Sequence, residues 1–326
     1  MVGKNCDDCS VPPSPDGAVH AATGKRWRWP ASQSLILAAI LAMCVVPQGL
    51  GQAQDAAPVA SVMAESASPD IPWADEPQLL AARATVPLLF RLKPAPLVLV
   101  MVFPSLLSQG LTLNRVGAFV EQAGQPHDRV LDDSGLALAM AASHVTMETY
   151  YYGHDYSAAE LQRFFAAARR DGVALHPEEA ALEAVLRRER LLVPGAAGAL
   201  ISLPAGGDSP LLDLAARSTI LRHEISHGVY FTDPAYAAYV GQFWDTVLTD
   251  QQRGQFRRYL GGEGYDTGID DLMRNEAVAY LVFTADPRFF TPAAVGLSAP
   301  VVAGLRQIFI AGMPASWLRD RMTEGK

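Results

Sequence analysis

Two of the chain's seven histidines stand four residues apart, in His223-Glu224-Ile225-Ser226-His227, with Gly228 next. On a helix, residues four apart are offset by only about 40° around the axis, so both imidazoles can reach one metal ion. Glu224 lies about 60° further round from His227, close enough to hold a water on that metal. Two ligands and a general base on one helical turn suit hydrolysis.

The surrounding residues give the motif a helical setting. Ala216, Ile220, His223, His227 and Phe231 follow the spacing of one helix face, so the histidines interrupt an apolar stripe. Buried imidazoles need partners, and either a metal or a structural histidine pair would provide them. Cysteine cannot complete a metal site here, because none occurs after Cys44. The best third ligand is Glu276, which falls within a second apolar stripe of Ile269, Leu272, Met273, Ala279, Tyr280 and Phe283. A carboxylate in such a stripe is costly unless it is paired or binds a cation. The small residues Ala277 and Ala279 would let this helix approach the His223 helix, and a buried pair with Arg222 or Arg274 is the alternative.

An HExxH helix followed by a later helix bearing a glutamate, as Asn275-Glu276 before small residues, resembles the gluzincin group of zinc metallopeptidases. The resemblance covers roughly Pro210 to Pro287 and reaches no single named family. Short-spaced gluzincins place the glutamate about 18–20 residues after the second histidine. Here that window holds Asp245, Thr246 and Val247, and the interval to Glu276 is longer. Asp233 stands where metzincins place a third ligand, but Tyr230 replaces the glycine they need, and Asp233 before Pro234 reads as a helix N-cap. Asp270 and Asp271 resemble the aspartate of aspzincins and read equally as acidic first-turn residues.

The resemblance implies Zn²⁺ held by His223, His227 and Glu276, with Glu224 as general base on the attacking water. Tyr280, one helical turn beyond Glu276, is the first candidate for stabilising the oxyanion, with Tyr265, Tyr230, His154 and His144 as alternatives. Asn275 is either a support for a ligand histidine or an exposed polar neighbour. The strand Ala199-Leu200-Ile201-Ser202-Leu203 either pairs with extended substrate or is an ordinary core strand. It ends at a loop, after which Ser209 and Pro210 read as a helix start.

The remaining chain sets bounds. A net charge of −8 and the lack of a basic stripe argue against nucleic-acid binding. Residues 1–33 read as a disordered tail, in which the Cys6/Cys9 pair has metal-knuckle spacing but no second pair. Residues 34–53 read as a signal peptide or membrane anchor, with a tether through 34–50 possible, and 54–86 as a linker, with ordered structure starting near Pro87. Export, to the periplasm or beyond the cell, is the resulting expectation. Residues 87–205 form an N-terminal subdomain and 206–326 a zinc-binding helical one.

Leu97 to Phe103 reads as a buried strand. Helices are expected over 113–123, from the Ser157 capping box to about 170, and over 177–190, 233–248, 249–260 and 298–311. Tyr150-Tyr151-Tyr152-Gly153-His154 is expected to pack against the capped helix or to line a substrate subsite. The fold class is α+β, predominantly α, and the resemblance implies a zincin-like small sheet behind the HExxH helix. The function expected is hydrolysis of peptide or protein substrates by an exported zinc metallopeptidase. The alternative is a catalytically inactive zinc-binding or metal-free cell-envelope scaffold.

Overall fold

The computed structural model describes residues 71–206 and 212–323. The tail and signal-segment readings, the three cysteines, and Ser209 with Pro210 lie outside them. Among the described residues the fold is α+β and mostly helical, around one mixed five-stranded sheet.

The sheet consists of β1 (Trp73–Ala74), β2 (Leu88–Leu92), β3 (Val98–Phe103), β4 (Asp155–Ser157) and β5 (Ala199–Pro204), in the order β1-β2-β3-β5-β4. The uninterrupted apolar run of β3 marks a strand covered on both faces, and all six of its residues are buried. Strand alternation divides them. Val98, Val100 and Val102 join the main core, while Leu99, Met101 and Phe103 face a second core on the other side. β5 runs parallel to β3 in register from Val98↔Ala199 to Phe103↔Pro204. Its other neighbour is β4, antiparallel, with Tyr156 opposite Leu200. β5 is therefore interior, and among the described residues the sheet edge nearest the HExxH helix is β4. The reading of 199–203 as a substrate-pairing strand gives way to the core-strand reading, because both its edges are occupied.

Helices α1 (Glu76–Ala81), α2 (Leu106–Val120), α3 (Asp133–Ala142), α4 (Ala158–Asp171) and α5 (Pro177–Arg188) precede β5. α2, α4 and α5 supply much of the second core. α4 opens with the expected capping box, in which the Ser157 and Glu160 side chains bond each other's backbone N–H. α1 and β1 fall within the stretch read as linker, and Ala74 and Leu79 are buried in the main core. Ordered structure thus starts before Pro87; the missed signal was a second capping box, Asp75 with Gln78. The main core also runs through both expected subdomains, joining Val100 and Ile201 to Ile220 and Phe309.

After β5 come α6 (Leu214–Thr232), α7 (Pro234–Gln242), α8 (Asp250–Glu263), α9 (Asp270–Val278), α10 (Ala299–Gly312) and α11 (Trp317–Thr323). α6 carries HExxH and lies on the sheet. A methyl group at Gly228 would stand 2.8 Å from Val98 Cγ1 and 3.4 Å from Ile201 Cγ2, so the missing side chain is what permits this approach. α6 starts at Asp213, whose carboxylate accepts from Ala216 N and is gripped by both terminal nitrogens of Arg288. It stops at Asp233, whose side chain accepts from Ala235 N and Tyr236 N and so caps α7. The expected helix over 233–248 divides into α7 and a π-helical turn, Phe243–Val247. A second π turn, Ala279–Phe283, extends α9. Among the described residues, no helix is long and apolar enough to cross a membrane.

Candidate functional site

His223 and His227 emerge from the middle of α6, with ring centroids 4.7 Å apart. Glu276, on α9, reaches both: Oε2 is 3.6 Å from His223 Nε2, and Oε1 is 3.6 Å from His227 Nε2. Ligand atoms around tetrahedral zinc, at bonds of about 2.0–2.1 Å, stand about 3.4 Å apart. The three residues are buried, with donor atoms within 4.8 Å of one another, so the fold gathers the expected ligand set at metal-binding spacing.

The ring hydrogen bonds bear on what these donors can hold. Thr284 follows the second π turn, and its hydroxyl donates to Ala279 O. The same oxygen lies 2.8 Å from His223 Nδ1, so it accepts the Nδ1–H. His223 Nε2 then keeps its lone pair and faces Glu276. His227 is fully buried, and among the described residues neither of its ring nitrogens has a hydrogen-bond partner. A buried imidazole without partners, aimed at a carboxylate beyond hydrogen-bond length, suits a cation between them. Burial, and then the neighbouring His227, hold His223 well below the usual histidine range. It is neutral at neutral pH, the form that ligates metal.

Neither arginine in the alternative reading turns to Glu276. Arg222 bonds Glu76, and Arg274 lies 3.5 Å from Asp245. The competing aspartates are also engaged elsewhere. Asp233 caps α7, Asp270 accepts from Arg257, and Asp271 accepts from the Tyr230 hydroxyl.

Glu224 is 3% exposed, and its Oε2 has no hydrogen-bond partner among the described residues. Its carboxyl abuts the backbone at Gly153, where a methyl group would lie 2.1 Å from Oε1. Burial, followed by the charges of Asp155, Glu276 and Glu121, pushes its pKa well above the ordinary carboxylate range. A glutamate poised this way suits general-base work near neutral pH.

Sequence reasoning missed Asp155 and Glu121. Asp155, on β4, has Oδ2 3.8 Å from His227 Nε2. Burial and then the charge of Glu276 push its pKa up. Glu121 follows α2, and Glu121, Asp155 and Glu276 bring one carboxylate oxygen each within 4.8 Å of one another. Neither Glu121 nor Asp155 lies in an interrupted apolar stripe; only the sheet order and the end of α2 carry them to the site. A cavity of about 310 Å³ opens beside them, lined by Asp155, Glu121, Asn275, Phe231 and Leu272 among others.

Tyr280 is fully buried, its ring edge-on to His223 at 4.8 Å and to Tyr259 at 5.2 Å. Tyr265 is also buried, and burial first, then the charge of Glu276, raises its hydroxyl well above the usual tyrosine range. His154 pairs with the Tyr156 hydroxyl at 2.7 Å, and His144 is exposed beyond α3. Tyr150 and Tyr151 pack with α2 and α3 rather than the capped α4, while Tyr152 joins the main core. No protein-family model, curated protein or solved structure matches this chain.

Proposed function

We propose that this chain is an exported zinc-dependent peptidase with a zincin-like build of gluzincin type. The observation that carries the reading is His227: fully buried, without a hydrogen-bond partner among the described residues, and set with His223 about one carboxylate, Glu276. A zinc ion held by these three residues would supply a Lewis acid that acidifies a water and polarises the substrate carbonyl.

The chain's own residues supply the rest. Glu224 accepts the proton of the attacking water and delivers it to the leaving amine. The Gly153 backbone, pressed against its carboxyl, fixes where that base stands. Thr284 sets the tautomer of His223. Tyr280 and Tyr265 are both candidate oxyanion donors, since each is buried within the field of Glu276, and the Tyr280 ring also packs edge-on against His223.

β4 offers the surface for an extended peptide. His154 O accepts from Ser202 N and Ala158 N donates to Gly198 O, so alternate residues face β5 and the peptide groups of Asp155 turn outward. A substrate laid along that edge would run past Glu224 toward the 310 Å³ cavity. Residues 34–53 would direct export, either as a cleaved signal or as an inner-membrane anchor.

The test is bound zinc and peptidase activity in the wild type, Glu224→Gln and Glu276→Ala. Glu224→Gln should keep zinc and lose activity, while Glu276→Ala should lose most of the zinc. Wild-type protein that takes up no zinc ends the metal reading. Zinc without cleavage of any peptide in a mixed library favours a binding scaffold.

A further inference from the structure

We infer that the site holds a second cation, a hard divalent ion bound by Glu121, Asp155 and Glu276, with Glu276 bridging it to the zinc position. The inference rests on the zinc reading, with which it shares His227 and Glu276.

Glu276 takes part in two groupings at once. With His223 and His227 it forms a nitrogen-rich set, and with Glu121 and Asp155 a set of oxygens alone. Oxygen-only carboxylate sites suit calcium, magnesium or manganese, whereas imidazole-rich sites suit zinc. The carboxylates of the second set are poorly hydrated: Glu276 is 1% exposed, Glu121 6%, and the Asp155 side chain 13%. The cluster does not stand alone. Fully buried His227 aims Nε2 between Asp155 Oδ2, at 3.8 Å, and Glu276 Oε1, at 3.6 Å, without a hydrogen bond to either. That gap exceeds hydrogen-bond length and matches donor atoms spread around cations.

Charge points the same way. Glu121, Asp155, Glu224 and Glu276 are four carboxylates in one poorly hydrated region. Carboxylates gathered this closely away from water are costly unless cations stand among them. The cavity of about 310 Å³ touching Glu121 and Asp155 leaves room for the waters that complete such an ion's six to eight ligands.

The full chain, stripped with chelator and reloaded with zinc, is titrated with calcium chloride. Metal per chain is counted by mass spectrometry, affinity is read by calorimetry and thermal stability by circular dichroism. The expected result is one zinc and one calcium, with calcium raising the melting temperature. Glu121→Gln and Asp155→Asn should keep the zinc and bind calcium at least about tenfold more weakly. Glu121→Asp, which keeps the carboxylate, should retain more affinity than Glu121→Gln and covers the case in which the amide variant misfolds. Zinc without calcium, or calcium binding equal in wild type and Glu121→Gln, overturns the second site and leaves the zinc reading intact. Loss of zinc from the wild type counts against both readings.

Discussion

The backbone of Gly153 runs directly against Glu224, so that a methyl group there would stand 2.1 Å from Oε1 and 2.7 Å from Cδ. This glycine is needed for close approach, since the Glu224 carboxylate occupies the space a side chain would fill. Gly153→Ala should displace the Glu224 carboxylate and lower kcat roughly a hundredfold, the scale of a 1 Å misplacement. Zinc content should be unchanged, because no ligand moves. Full activity in Gly153→Ala would show that Glu224 works from another position.

In the proposed zinc site Thr284 acts through His223. Thr284→Val keeps the shape, removes the acceptor of the Nδ1–H and strands a buried donor. Zinc affinity should fall about 10- to 100-fold, and Thr284→Ser should restore most of it. Competition with a chromogenic chelator reads the change. Equal affinity in the valine variant would mean that the tautomer is set by something else.

The carboxylates give the metal-free protein a distinctive pH response. Glu224 has a folded-state pKa raised well above 4.5, first by burial and then by Asp155, Glu276 and Glu121. The folded chain therefore binds that proton more tightly than the unfolded chain, so the contribution is full below 4.5 and lost as pH rises through the folded value. Asp155 acts in the same direction. His223 acts oppositely: its pKa lies well below 6.5, so its contribution is present above that value and lost as pH falls. Urea unfolding of chelator-stripped protein from about pH 5 to about pH 8 isolates the first effect by comparison with Glu224→Gln. The variant should lose less stability across that range, and parallel curves would refute the assignment.

Gly228 tests how α6 is seated. Gly228→Ala would drive a methyl group toward Val98 and Ile201, and overpacking of this kind costs about 1–3 kcal/mol. Denaturant melts measure it directly. A neutral result would mean that α6 can ride higher on the sheet without strain.

How much of this was legible in the chain depends on how local each signal is. The HExxH helix was legible because helical periodicity places Ile220, His223 and His227 on one face without reference to the rest of the fold. Glu276 was legible as a carboxylate within an apolar stripe. Thr284 was not: the stripe was read at 3.6 residues per turn, and the π turn at Ala279–Phe283 adds a residue that turns Thr284 toward His223. Asp155 was hidden because β4 has only three residues and overlaps the start of a capped helix. Among strands, β3 and β5 announced themselves as apolar runs, whereas β2, with Arg91 inside it, and the two-residue β1 did not.

Asp233 closes α6 and opens α7 with a single residue, and Asp213 at the other end is clasped by Arg288. The histidine helix is thus held by side-chain contacts at both of its ends. Gly153, which stands against Glu224, ends a stretch of turns in which Tyr150 and Tyr151 pack on α2 and α3. The packing of that stretch, and not α6 alone, therefore decides where the Glu224 carboxylate stands.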